Sequence, residues 1–73
     1  MTANAILAAI RDRITELNTE AGRRLFYLSH DGERLCLHRR LDGDNKIIKK
    51  SRKSAWALRG LLHRLQAIQI VFT

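Results

Sequence analysis

The chain has no proline, one cysteine, one tryptophan, one tyrosine and two phenylalanines among its 73 residues. Each scarcity removes a class of protein. With no proline and 45% hydrophobic residues, the composition is that of a folded chain and argues against a disordered tail. The lone Cys36 cannot close an internal disulfide, which excludes stapled secreted scaffolds and suits a reducing cytoplasm. No apolar run approaches the roughly 18 residues that span a bilayer, so no membrane partner is expected. The first residues also lack the basic-then-apolar pattern of a signal peptide. Aromatic residues make up 5% of the chain, too few for a broad stacking platform. Catalytic machinery is equally scarce. Glu16 and Glu20 are one helical turn apart and read as surface charges, and there is no glycine-rich phosphate loop. The expectation is a non-enzymatic protein that holds no cofactor and no metal.

What the chain has in excess is positive charge, with 14 Lys and Arg against 7 Asp and Glu, a formal +7. The excess is uneven. Residues 1–33 carry four arginines against five carboxylates, whereas residues 34–73 carry ten bases against Asp42 and Asp44, a net +8. Five of those bases, Lys46, Lys49, Lys50, Arg52 and Lys53, fall in eight residues with no acid among them. Asymmetry of this kind points to a polyanionic partner, either nucleic acid or an acidic protein surface. Seventy-three residues suffice for one small domain spanning 1–73. A domain this short buries only about 60% of its unfolded surface, so a homodimer would help it.

Hydrophobic spacing sets the elements. Ala3, Leu7, Ile10, Ile14, Leu17 and Ala21 follow a 4-3-4-3-4 pattern that predicts one stripe of an amphipathic helix, with Ile6 beside it. Thr2 or Asn4 supplies an N-cap oxygen, and Gly22 fits the left-handed position after the last turn. The stripe suits packing on the protein's own sheet, or a dimer seam. Asp31-Gly32 is a two-residue hairpin signal that pairs Leu28 with Leu35, Phe26 with Leu37 and Tyr27 with Cys36. One hairpin face then holds Phe26, Leu28, Leu35 and Leu37. The other is basic, with Tyr27, His38, Arg23 and Arg40. A second turn at Asp42-Gly43-Asp44-Asn45 leads to a short third strand over Lys46 to Lys50. Ser51 is the expected N-cap of a helix from about Arg52 to Gln66, with Ala55, Leu58, Leu61, Leu62 and Leu65 on its apolar face. Trp56, Gly60 and His63 share a different side. The β-branched tail from Ile68 to Thr73 reads as a final strand, although it would also serve to extend the helix or pad the core. The fold class is α+β: an N-terminal helix, an antiparallel sheet of two to three strands, a second helix and, on one of the readings of the tail, a short C-terminal strand.

Several groups are candidates for binding. Lys46, Lys49, Lys50, Arg52 and Lys53, with Arg39 and Arg40, are placed to contact phosphates near a helix start. Trp56, Tyr27 and His38 are rings that can stack on bases, but a single tryptophan is more often a partly buried packing residue. Cys36 and His38 are two apart on one strand face, a spacing too sparse for zinc and too wide for a thiol–base pair. The order helix, three strands, helix, with Lys49-Lys50-Ser51-Arg52-Lys53-Ser54-Ala55 opening the second helix, resembles double-stranded RNA-binding domains. That resemblance implies phosphate contacts from Lys49, Lys50 and Lys53, and a hairpin-loop His30 that enters a minor groove. In place of that family's glycine-bearing segment before the lysines stands Asn45-Lys46-Ile47-Ile48.

Two functions are compatible with this reading. One is a cytoplasmic module that binds DNA or RNA through residues 34–53 and the start of the second helix. The other is a small regulator or inhibitor, of the kind phages and mobile elements encode, that docks the same basic face on an acidic host protein complex.

Overall fold

A computed structural model describes residues 2–41 and 43–70. Helix α1 (Ala3–Ala21) leads into three strands, β1 (Phe26–Asp31), β2 (Arg34–Leu41) and β3 (Asp44–Arg52), and helix α2 (Ala55–Gln66) follows. The strands form one antiparallel sheet in the order β1-β2-β3. Both helices pack on one face of it, which gives the expected α+β architecture. No helix among the described residues is long and apolar enough to cross a membrane.

The 3-4 spacing of α1 becomes the core. Ile6, Ile10 and Leu17 are fully buried and Ile14 nearly so, against Phe26, Leu35 and Leu37 from the sheet and Leu58, Leu61 and Leu65 from α2. Ile6 therefore sits within the stripe rather than beside it, and the stripe is consumed inside the chain. Thr2 caps α1 by accepting a hydrogen bond from the Ala5 amide at 3.1 Å. At the other end Gly22 adopts φ +70°. The Gly22 amide donates to the Thr19 carbonyl and the Arg23 amide to the Asn18 carbonyl, the paired bonds of a Schellman motif.

A side chain invisible to periodicity fixes how the chain leaves this helix. Asn18 accepts from the amides of Leu25 and Phe26 at 3.0 and 2.8 Å and donates to the Phe26 carbonyl at 2.9 Å. It thus hydrogen-bonds the start of β1 as a neighbouring strand would. Arg13 ties the two helices together from the other side, donating to the carbonyls of Leu65 and Ile68.

The hairpin register differs from the expected one by two residues. The pairs are Phe26 with Arg39, Tyr27 with His38, Leu28 with Leu37, Ser29 with Cys36 and Asp31 with Arg34, so the loop is Gly32-Glu33 rather than Asp31-Gly32. Gly32, at φ +61°, supplies the positive φ a tight hairpin turn needs at its first central position. This register sets a carboxylate opposite a guanidinium and a tyrosine opposite a histidine, whereas the alternative sets Arg24 opposite Arg39. Because the slip is by an even number, the faces are unchanged. Phe26, Leu35 and Leu37 still point to the core, with Leu28 half-buried.

The third strand is longer than expected. Leu41 pairs with Asp44, so Asp44 and Asn45 belong to β3 rather than to a turn, and pairing runs on to Arg34 with Arg52. The register shifts by one between Leu37 and His38. Ile48 is the extra residue, and alternation sets the adjacent isoleucines on opposite faces: Ile47 stands opposite His38 and is 48% exposed, while Ile48 packs against the core. Pairing through Arg52 also rules out Ser51 as a helix cap. Ser51 lies in β3, 6% exposed, with its hydroxyl donating to the Arg52 carbonyl. Ser54 caps α2 instead, accepting from the Ala57 amide at 3.3 Å. The expected C-terminal strand is not formed over residues 68–70, where Ile68 and Ile70 pad the core. Residues 71–73 of that expectation lie outside the described residues.

Candidate nucleic-acid interface

With both helices on one side, no other element among the described residues covers the opposite face of the sheet. Alternation assigns to it Tyr27, Ser29 and Asp31 from β1, Arg34, Cys36, His38 and Arg40 from β2, and Asn45, Ile47, Lys50 and Arg52 from β3. Asp31 is the carboxylate of this set, and Lys50 approaches it at 3.6 Å. Cys36, small and central, is buried beneath its longer neighbours. Among the described residues no three His, Cys, Asp or Glu side chains group as metal ligands would.

A rib of rings crosses the middle of this face. The rings of Tyr27 and His38 stack with centroids 4.5 Å apart and planes 2° from parallel. The Arg24 guanidinium lies 5.6 Å from the Tyr27 centroid, and the Ser29 hydroxyl meets His38 Nε2 at 2.5 Å. The Asn45 amide reaches over β2 to donate to the Tyr27 hydroxyl. These rings hold each other in place, so they organise the surface around them rather than offering free faces.

The bases on the sheet include two pairs that local energetics disfavours. Arg34 stands directly opposite Arg52, and Arg39 directly opposite Lys46. Like charges at directly opposed sheet positions repel, whereas an opposite-charge pair in their place contributes about 0.2–1 kcal/mol. Arg34 and Arg52 oppose each other on the uncovered face and Arg39 and Lys46 on the helix-packed side, so the first pair raises the positive potential of the uncovered face, which is what a phosphate backbone would neutralise.

The sequence-selected residues divide into separate groups. Arg40 and Lys50 lie on the uncovered face, as does Arg52 at its rim beside Gly32, Glu33, Arg34 and Lys53. Arg39 and Lys46 have the opposite facing, where Arg39 borders a hollow with Ile48 and Arg64. Lys49 faces the groove between β3 and α2 together with Trp56, Arg59, Gly60 and His63. Lys53 follows β3 and reaches toward the Gly32 carbonyl at 3.5 Å. His30 lies apart from all of these. It is within β1, opposite Leu35, rather than in the hairpin loop.

Two expectations for this region are therefore corrected. The lysine cluster does not open α2, because Lys49, Lys50 and Arg52 are strand residues and only Lys53 falls in the link before Ser54. His30, Lys49 and Lys50 do not occupy the places implied by the resemblance to double-stranded RNA-binding domains, whereas Lys53 directly precedes the cap of α2. Trp56 is not a packing residue either, at 84% exposed. Sequence reasoning did not select Arg34, although it alternates with Cys36, His38 and Arg40 on a single strand face, which was the available signal. Compared with known proteins, the chain matches no family model, no curated protein and no solved structure.

Proposed function

We propose that this chain is a non-enzymatic nucleic-acid-binding module that engages a phosphate backbone across the uncovered sheet face and along β3. The observation that carries the reading is the like-charged cross-strand pair of Arg34 and Arg52 on the uncovered face, with Arg40 and Lys50 on the same face. A fold gains nothing from opposing cations in this way, while a polyanion laid over them turns the repulsion into attraction. The Tyr27–His38 rib supports the reading by tying together the three strands that carry Arg34, Arg40 and Arg52. Phosphates positioned this way are recognised by charge, so affinity carries little base preference.

The test is fluorescence anisotropy with labelled RNA and DNA over a salt series. Binding is expected to fall linearly on a log–log plot, and replacement of Arg34, Arg40 and Arg52 by glutamine should flatten the slope. Absent binding, or affinity indifferent to salt, would overturn the proposal.

A further inference from the structure

The groove between β3 and α2 carries more than charge. It has a volume of about 610 Å³ and is bordered by Lys49, Arg52, Trp56, Arg59, Gly60 and His63. We infer that it is a nucleotide site for single-stranded nucleic acid, with an unpaired base stacked on Trp56 and its adjoining phosphates on Lys49, Arg52 and Arg59. This rests on the nucleic-acid reading above and specifies the form of the ligand.

Three observations converge there. Trp56 is 84% exposed, so the largest apolar side chain in the protein is left out of the core. Among the described Phe, Tyr and Trp residues it is the exposed one, since Phe26 is buried and Tyr27 stacks on His38. The second observation is Gly60, one helical turn beyond Trp56 and on the same side of α2. A Cβ built at Gly60 would meet nothing within 4 Å, and the position has no positive φ. Neither packing nor backbone conformation therefore asks for glycine in the middle of this helix, where glycine weakens it. Gly60 lines the same groove as Trp56, and without a side chain it leaves that part of the groove open to a planar ligand. Third, four cations (Lys49, Lys50, Arg52 and Arg59) border the groove, and no carboxylate among the described residues does. A ring open to solvent, clear space at its flank and surrounding cations match a base linked to phosphates.

The form follows from what stacking requires. A base within a duplex has both faces covered by its neighbours, so a protein ring gains access only where bases are unpaired. Lys50 and Arg52 also belong to the sheet face, so one strand could run from that face over the β3 edge into the groove.

Trp56 is the chain's single tryptophan, so its emission reports on this groove alone. The intact protein is titrated with short oligo-U, oligo-dT, a duplex of equal length and polyglutamate, alongside W56A and G60A. Both single strands are expected to quench Trp56. W56A should weaken single-strand binding by about tenfold or more while leaving duplex affinity nearly unchanged. G60A should weaken single-strand binding although its helix melts higher. Single strands that bind without quenching, or that bind W56A as tightly as the parent, would overturn the site. Equal quenching by polyglutamate would overturn it too, in favour of an acidic protein segment. Salt-dependent binding with silent Trp56 readouts removes this inference and keeps the broader reading, whereas no binding of either nucleic acid removes both.

Discussion

The imidazole of His38 lies flat against the phenol ring of Tyr27, 4.5 Å between centroids, across the β1–β2 ladder. Each ring is also held by a polar partner, His38 by Ser29 and Tyr27 by Asn45, so three strands share one cross-sheet tie. A double-mutant cycle of Y27A and H38A in urea unfolding should therefore return a coupling of about 0.5–1.5 kcal/mol, the range for stacked ring pairs. Additive single-site effects would show that the stack contributes nothing beyond the area each ring covers.

Asn18 makes three hydrogen bonds to the backbone at the start of β1. Alanine there would leave partly buried amides of Leu25 and Phe26 without that partner. N18A is expected to destabilise the fold by about 1–3 kcal/mol in chemical denaturation. Aspartate keeps the acceptor but loses the amide donor to the Phe26 carbonyl, so N18D should recover part of the loss.

Ser51 and Ser54 are three residues apart, and only one caps α2. S54A should cost about 1 kcal/mol, the usual loss of an N-cap hydroxyl. S51A, which removes only a local bond to the Arg52 carbonyl, should cost clearly less by the same thermal or denaturant measurement.

Arg34 offers a test in which stability and binding respond differently. R34Q relieves the repulsion with Arg52 but gives up the facing carboxylate of Asp31, so the net change in stability should be within about 0.5 kcal/mol. Nucleic-acid affinity should nevertheless drop, and the salt slope should fall by about 0.7–0.9 for each phosphate that is no longer neutralised. A slope unchanged in R34Q would place the phosphates elsewhere.

How much of this was legible in the sequence depended on the periodicity involved. The α1 stripe was readable because 3-4 spacing has one geometric meaning, and the sheet faces because alternation survives any even slip in register. The register itself was not. Asp31-Gly32 and Gly32-Glu33 both place glycine in a two-residue loop, and the choice rests on Asp31 meeting Arg34 and Tyr27 meeting His38 across the strands. The basic run was visible as charge but not as structure. Lysines reveal nothing about whether they lie in a strand or at a helix start, and β3 runs on to Arg52 although this sets Arg52 opposite Arg34. An isolated tryptophan is more often a packing residue, whereas the exposure of Trp56 follows from its angular position on α2, away from Leu58, Leu61 and Leu65. Asn18 gave no signal, since an asparagine near a helix end reads as ordinary surface.

The bulge at Ile47 and Ile48 has a consequence for how copies of the chain behave toward each other. β3 ends the sheet, and a straight strand with an unpaired edge and two adjacent isoleucines would template the addition of further chains. The extra residue breaks the even spacing such growth requires, and the lysines at 46, 49 and 50 make every approaching copy repel the last. The cations of β3 therefore guard against polymerisation whether or not a ligand is bound. Stripping them all at once should trade a binding defect for insoluble protein, so their contributions are best measured one residue at a time.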